Sequence, residues 1–298
     1  MINYIKILSY IIISLYFSPV GADNFIFDLD GVLVRTGSLS ALKHAGLNNI
    51  IQTMISLKKD SMGIQQYIEK KFLEVLAKAS QEHGFDINNI ENPAYYRHEE
   101  VLPYLMQAWL RGLIKSKKVR DLVVGSIDAN PQWFSTKSEK RLIKNLIKMV
   151  FTPENFVESR RLNKRALDFV KARKEEGHKL YILSNWDPES FALLQKKHNS
   201  VFAMFDGVLI SGEINMAKPS PDIYEVLLKT HKIAPAQSWF IDDQRENIAA
   251  ACSLDIKGVL CEPRRGSKKP NFYLVGQKIP QCPAPKENWV PRAVQRRF

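Results

Sequence analysis

Asp28 and Asp30 stand in the stretch NFIFDLDGVLV, directly after an apolar run and just before a glycine. Ser184 and Asn185 follow the run KLYIL, Lys218 lies in MAKPSPDIY beyond GVLIS, and Asp242-Asp243 close SWFI. Read singly, each group has an ordinary structural use. Asp28 and Asp30 suit a turn with Gly31 at its tight position, Asp242 or Asp243 suits the start of the helix that follows, and a lone lysine says little. A calcium loop is excluded, because counting from Asp28 the glycine comes too early and the twelfth position is Leu39 instead of Glu. Gathered at one place, the same residues carry different chemistry. Four crowded carboxylates repel, and without a cation at least one is driven to protonate. A Mg2+ ion relieves that conflict, since it takes hard oxygen ligands, needs few carboxylates and keeps positions for water and a phosphate oxygen. Lys218 adds a second positive charge, and Ser184 and Asn185 add hydrogen-bond donors. The set suits a phosphate-like anion.

What could gather them is a sheet whose strands end at a common edge. From Asn163 onward the chain alternates amphipathic and short apolar stretches. NKRALDFVKARKEEGHKL predicts a helix ending at Gly177, and KLYILS predicts a strand. A helix from about Pro188 with Asp187 as its N-cap, a strand at FDGVLIS, a helix from about Pro221, a strand at SWFID, a helix from about Arg245 and a strand at KGVLC complete the series. Such alternation implies a parallel sheet with right-handed crossovers. The strand Phe25 to Leu29 must join it, since alone it would leave its backbone groups unpaired. In open sheets of this kind ligands sit beyond the carboxyl ends of the strands, which is where all the residues above fall. Between the first strand and the rest, residues 39–149 read as helix after helix, with Ile64, Tyr67, Ile68, Phe72, Val75, Leu76 and Ala79 forming one apolar stripe. Lys115, Lys117, Lys118 and Arg120 in this block read as a solvated face. The expected fold class is therefore α/β, a Rossmann-like parallel sheet core with an inserted all-helical domain.

DLDGV, LSN, KPSPDIY and FIDDQRENIAAA resemble, in order and approximate spacing, the four motifs of the haloacid dehalogenase-like hydrolase superfamily. The resemblance covers about residues 24–35 and 160–262. SNWD, GEINMAKPSPDIY and DDQREN look most like its dehalogenase-type branch with a helical cap. By this resemblance residues 23–36 and 160–262 form the catalytic core, 37–159 the cap, and 263–298 a basic C-terminal extension. Asp28 would be the nucleophile that forms an aspartyl-phosphate. Asp30 would protonate the leaving alkoxide and then activate water. Ser184 and the Asn185 backbone would hold phosphoryl oxygens while Lys218 offsets their charge. Asp28, the Asp30 carbonyl and Asp242 and/or Asp243 would hold Mg2+. Asn247, one helical turn on, either orients Lys218 or an aspartate or is a plain polar face residue. Dehalogenation on this scaffold uses one aspartate and lacks the second, so Asp30 favours hydrolysis of a small phosphomonoester. A phosphomutase, a 2-haloacid dehalogenase and a non-catalytic exported binding or effector protein are the alternatives.

The 298-residue chain is 45% hydrophobic and 25% charged, which excludes a disordered or polytopic membrane protein. Its net charge of +12 is unevenly spread: residues 262–298 hold nine Lys/Arg against two Asp/Glu, more than half of the excess. The remainder is only mildly basic, which argues against nucleic acid as a partner and leaves the tail as a solvated segment or a contact for an anionic surface. Lys6, an apolar run from Ile7 to Val20 and small residues through Ala22 have the layout of a signal peptide over residues 1–22, implying a secreted or periplasmic protein. The alternative is an uncleaved membrane anchor. Three cysteines are too few for a disulfide scaffold. In an exported protein Cys261 with Cys282 could tie the tail to the body, and Cys252, in a helical pattern, reads as a small buried hydrophobe.

Overall fold

The computed structural model describes residues 22–91, 93–96, 100–261 and 282. The expected signal peptide and nearly all of the basic extension lie outside the described residues. The chain opens with β1 (Asn24–Phe27), passes through a tight loop and forms β2 (Val34–Thr36). Helices α1 (Ser38–Ala45), α2 (Leu47–Ser56) and α3 (Ser61–Glu82) follow, then β3 (Tyr95–Tyr96) and β4 (Glu100–Val101). Next come α4 (Tyr104–Leu110), α5 (Ser116–Ala129), α6 (Lys137–Val150), α7 (Pro153–Glu158) and β5 (Arg160–Leu162). The remainder runs α8 (Lys164–Glu175), β6 (Lys179–Ser184), α9 (Pro188–Lys197), α10 (Asn199–Phe202), β7 (Gly207–Ile210), α11 (Ser211–Ile214) and α12 (Pro221–His231). It closes with β8 (Ser238–Asp242), α13 (Arg245–Cys252) and β9 (Lys257–Leu260).

Five strands form one parallel sheet in the order β7-β6-β1-β8-β9. β1 is central because it is apolar on both faces: Phe25 and Phe27 enter one core cluster and Ile26 the other. The chain builds outward from β1 through β6 to β7, then returns to the other side of β1 for β8 and β9. That reversal places a crevice beyond the C-terminal ends of β1 and β8. The first strand is shorter than the expected Phe25 to Leu29, although the Asp28 N–H still donates to the Ile241 carbonyl at 2.9 Å. The helical starts behave as read: Asp187 caps α9 by accepting from the Ser190 N–H at 2.9 Å, with Pro188 in the first turn.

The inserted block leaves the core at β2 and returns at β5, and these two strands pair antiparallel. Asn163 secures the junction, its side chain donating to the Val32 carbonyl at 2.9 Å and its N–H to the Leu33 carbonyl at 2.8 Å. Among its described residues the block is helical except for loops and the small antiparallel pair of β3 and β4, two-residue strands too short to announce themselves by alternation. Its core is continuous with one face of the sheet. Trp109 packs edge-on to Phe151 at 5.0 Å and to Phe156 at 5.6 Å, and Phe156 packs on Trp186 at 5.4 Å between ring centroids. An aromatic chain thus links the helical block to the loop after β6.

The cysteines are arranged differently from the expectation. Cys252 is bonded to Cys282 across a Cα–Cα distance of 5.8 Å, and Cys261 lies buried in the main core cluster. Cys261 N–H extends the sheet ladder by donating to the Asp242 carbonyl at 2.7 Å, and its side chain lies in the core. Cys252, at the half-buried end of α13, is the residue within reach of Cys282. Among the described residues no helix is long and apolar enough to cross a membrane.

Candidate active site

Lys218 is the centre of the crevice. Its side chain is buried, yet its Nζ lies 2.7 Å from Asp28 Oδ1 and 2.6 Å from Asp242 Oδ2. Burial alone would lower its pKa, but the carboxylates of Asp242 and Asp28 more than offset this and hold it above the ordinary lysine value. The backbone that carries it is clamped by Asn185: the Lys218 N–H donates to Asn185 Oδ1 at 2.8 Å, and Asn185 Nδ2 donates to the Lys218 carbonyl at 2.9 Å. The Asn185 side chain therefore positions Lys218, and any contact of Asn185 with a phosphoryl group falls to its backbone.

The two aspartates after β8 have distinct surroundings. Asp242 is fully buried and surrounded by donors: besides Lys218, Asn247 Nδ2 reaches both of its oxygens at 3.1 Å and the Gln244 N–H donates to Oδ1 at 2.8 Å. Tyr224, from α12, holds Asn247 in turn by donating from its hydroxyl to the Asn247 carbonyl at 2.9 Å. Asn247 thus orients an aspartate, one of the uses its spacing allowed. Asp243 is half-buried. Its pKa is pushed well above the carboxylate range, by burial first and then by Asp242, Asp28 and Asp30. Burial also raises Asp28, to about 7, with Asp242 adding to the rise while Lys218 opposes it.

One carboxylate oxygen each from Asp28, Asp242 and Asp243 lies within 4.8 Å of the others. A divalent cation fits this donor set: the oxygens are hard, and one lysine does not neutralise three carboxyls. Ser184 Oγ, at the end of β6, is buried beside Asp28, whose pKa it helps to lower, but makes no hydrogen bond of full geometry. A buried hydroxyl without one costs about 1–3 kcal/mol, which marks it as a group kept for a ligand oxygen.

Asp30 sits at the rim of the crevice. Its carboxylate is not part of the metal-sized group, and Arg160 Nη2 lies 3.6 Å from its Oδ2. The loop that carries it is closed by backbone bonds, Gly31 N–H to the Val34 carbonyl at 2.8 Å and Val34 N–H to the Leu29 carbonyl at 2.7 Å. The structure thus brings Asp28, Ser184, Lys218, Asp242 and Asp243 together, with Asn185 behind Lys218 and Asp30 at the mouth. Arg160 and Tyr224 were not anticipated. Tyr224 ends the KPSPDIY stretch and could have been suspected; Arg160, in SRRLNKR, carries no local signal.

Comparison with known proteins bears on this geometry. A family profile described as haloacid dehalogenase-like hydrolase matches residues 22–255. The chain is similar to bifunctional epoxide hydrolase 2 of Rattus norvegicus, 25% identical over 205 residues that make up 63% of this chain and 37% of that protein. It is also similar to the sesquiterpene phosphatase astK of Aspergillus oryzae, 30% identical over 95 residues, 32% of this chain and 48% of that one. The chain therefore spans less than half the length of these curated relatives. Among solved structures, a HAD family enzyme from Bacteroides thetaiotaomicron is 20% identical with a TM-score of 0.49, covering 83% of this chain and 96% of its own.

Proposed function

The chain belongs to the haloacid dehalogenase-like hydrolases, and within that family we propose that it is a Mg2+-dependent phosphatase acting on a small phosphomonoester. The observation that carries this reading is the convergence of Asp28, Asp242 and Asp243 beside the buried Ser184 hydroxyl. The presence of Asp30 supports ester hydrolysis over carbon-halogen cleavage, and the resemblance to a phosphatase points the same way.

In this reading an Asp28 oxygen attacks phosphorus as the ester oxygen departs, and the Asp30 carboxyl gives that oxygen its proton. Asp30 then takes a proton from water, whose oxygen attacks phosphorus and releases inorganic phosphate and the Asp28 carboxylate. Lys218 and Ser184 hold phosphoryl oxygens throughout. Mg2+ bound by Asp28, Asp243 and the Asp30 carbonyl would supply the positive charge that lets nucleophile and phosphate approach. Asp243 is assigned the direct contact because the donors around Asp242 already occupy both of its oxygens. Asp242 serves instead to hold Lys218.

Purified protein should hydrolyse 4-nitrophenyl phosphate with Mg2+ and stop on addition of EDTA. Asp28→Asn should abolish turnover. The variant stays folded, because an amide oxygen still accepts from Lys218 and Asp242 still pairs with it; deleting Lys218 instead would leave two carboxyls buried uncompensated, at about 3–5 kcal/mol. Absence of turnover by folded, Mg2+-loaded wild type across a broad phosphoester panel would sink the proposal. We also propose export, supported by the apolar run from Ile7 to Val20 and by the Cys252–Cys282 bond, since such bonds persist in oxidising compartments.

A further inference from the structure

Arg160 opens β5, where the chain returns from the helical block to the core. Its guanidinium is held on several sides. Nη1 donates to Thr36 Oγ1 on β2, and the group lies 4.1 Å from the ring centroid of Phe156 on α7 and 5.9 Å from that of Trp186. Its Nε is buried with no hydrogen-bond partner. The side chain is only 10% exposed, whereas that of Asp30, 3.6 Å away, is 52% exposed.

A surface ion pair usually contributes about 0–1 kcal/mol, because two long side chains must be ordered to make it. Arg160 differs: Thr36 and the aromatic faces already order it, so its charge is directed at Asp30 with little further entropy to lose. At 3.6 Å the contact is a charge contact and not a hydrogen bond, which leaves the Asp30 carboxyl able to rotate toward a leaving group. Arg160 also touches both crossings between block and core, Thr36 on the outward strand and Phe156 just before the return.

We propose that Arg160 is the positioning residue for Asp30: it holds the carboxylate at the seam between helical block and core, so that delivery of the proton depends on how the two parts sit together. The inference rests on the phosphatase reading, in which Asp30 is the acid and base. An acid matters in proportion to the basicity of the group it protonates. Phenolate needs a proton more than 4-nitrophenolate does, and phenyl phosphate and 4-nitrophenyl phosphate are otherwise close in shape.

The test compares kcat and KM for these two substrates with Mg2+ present. A well-placed acid contributes about 10²–10⁴-fold, so Arg160→Met should lower kcat/KM, which reports transfer to Asp28 and not the later hydrolysis common to both esters, by ~10-fold for phenyl phosphate and by less than ~3-fold for 4-nitrophenyl phosphate. Arg160→Lys keeps the charge without the planar fork and should recover part of the phenyl phosphate rate. In an Asp30→Asn background Arg160→Met has no acid left to position and should cause no further loss. Equal losses of kcat/KM on both substrates, or losses that multiply with those of Asp30→Asn, would overturn the proposal in favour of a purely structural arginine. Thermal melts of each variant separate misfolding from either outcome, and Arg160→Lys carries the comparison if Arg160→Met does not fold. Failure of wild type to hydrolyse either ester overturns the phosphatase reading itself, a result distinct from an active wild type whose variants show no leaving-group dependence.

Discussion

Gly31 separates the two catalytic candidates of the first loop from the second acidic pair. Its φ is +84°, and a Cβ built there would stand 2.2 Å from Asp243 Oδ2, so the loop backbone and the Asp243 carboxylate touch. Gly31→Ala should therefore do two things. The left-handed backbone costs about 1–2 kcal/mol with a side chain present, and Asp243 must move out of the donor set. Loss of an orienting contact around a metal typically lowers affinity by about 10–100-fold, and titration calorimetry with Mg2+ should find a drop of that order while the circular dichroism spectrum is unchanged. Wild-type affinity in this variant would exclude Asp243 as a direct ligand. Much of this site was legible in the sequence, because Asp28, Ser184, Lys218 and Asp242-Asp243 follow apolar runs closely and strand ends of a parallel sheet share an edge. The division of labour was not. That Asp242 is saturated depends on the Lys218 side chain from another segment together with the Asn247 side chain and the Gln244 N–H just downstream, and the Arg160–Asp30 contact joins residues far apart in the chain.

The helical block is fastened to the core by the loop after α4. Ser211 Oγ, at the start of α11, donates to the Leu110 carbonyl at 2.5 Å, and the Ser116 N–H at the start of α5 donates to Glu189 Oε2 on α9 at 2.8 Å. Between these bonds Gly112, at φ +67°, lies against Gly212: a Cβ on Gly112 would stand 2.2 Å from the Gly212 carbonyl oxygen. Backbone cannot yield as a flexible side chain can. Gly112→Ala should separate the two loops, destabilise the protein by about 1–3 kcal/mol and raise KM several-fold, read by thermal melts and steady-state kinetics. Gly125→Ala is the control. It lies inside α5 with open space around it, so alanine there should stabilise by about 0.5–1 kcal/mol and leave KM unchanged. A Gly112→Ala enzyme with wild-type KM would show that this seam does not shape substrate access. The main core helices and strands could be read from period and punctuation, with Gly177 after α8, Asp187-Pro188 before α9 and Pro221 opening α12. β2, β5, β3 and β4 could not, because two- and three-residue strands carry no period and are defined by partners distant in the chain.

At the scale of the whole molecule, the sheet separates chemistry from attachment. Asp242 ends β8 and α13 leads away from it, so Cys252 lies at the far end of an eight-residue helix, about 12 Å along its axis from the site. The bond to Cys282 therefore ties the tail to the core at a point remote from Asp28 and Lys218. Spacing alone could not choose among three cysteines; the fold did, with Cys261 buried in the core. The tail around Cys282 carries nine Lys/Arg against two Asp/Glu, a charge that attracts anionic surfaces within a Debye length of about 8 Å at physiological salt. Deleting the residues after Pro263 should leave kcat/KM for aryl phosphates unchanged and remove whatever salt-sensitive binding to anionic vesicles the full chain shows. Peptide mapping without reductant should recover Cys252 joined to Cys282, and mature exported protein should begin at Asp23. A Cys261–Cys282 peptide would overturn the pairing, and secreted protein still beginning at Met1 would overturn cleavage. Loss of hydrolysis on truncation would count against the separation itself, because it would mean that a segment anchored at the far end of α13 reaches around to the crevice.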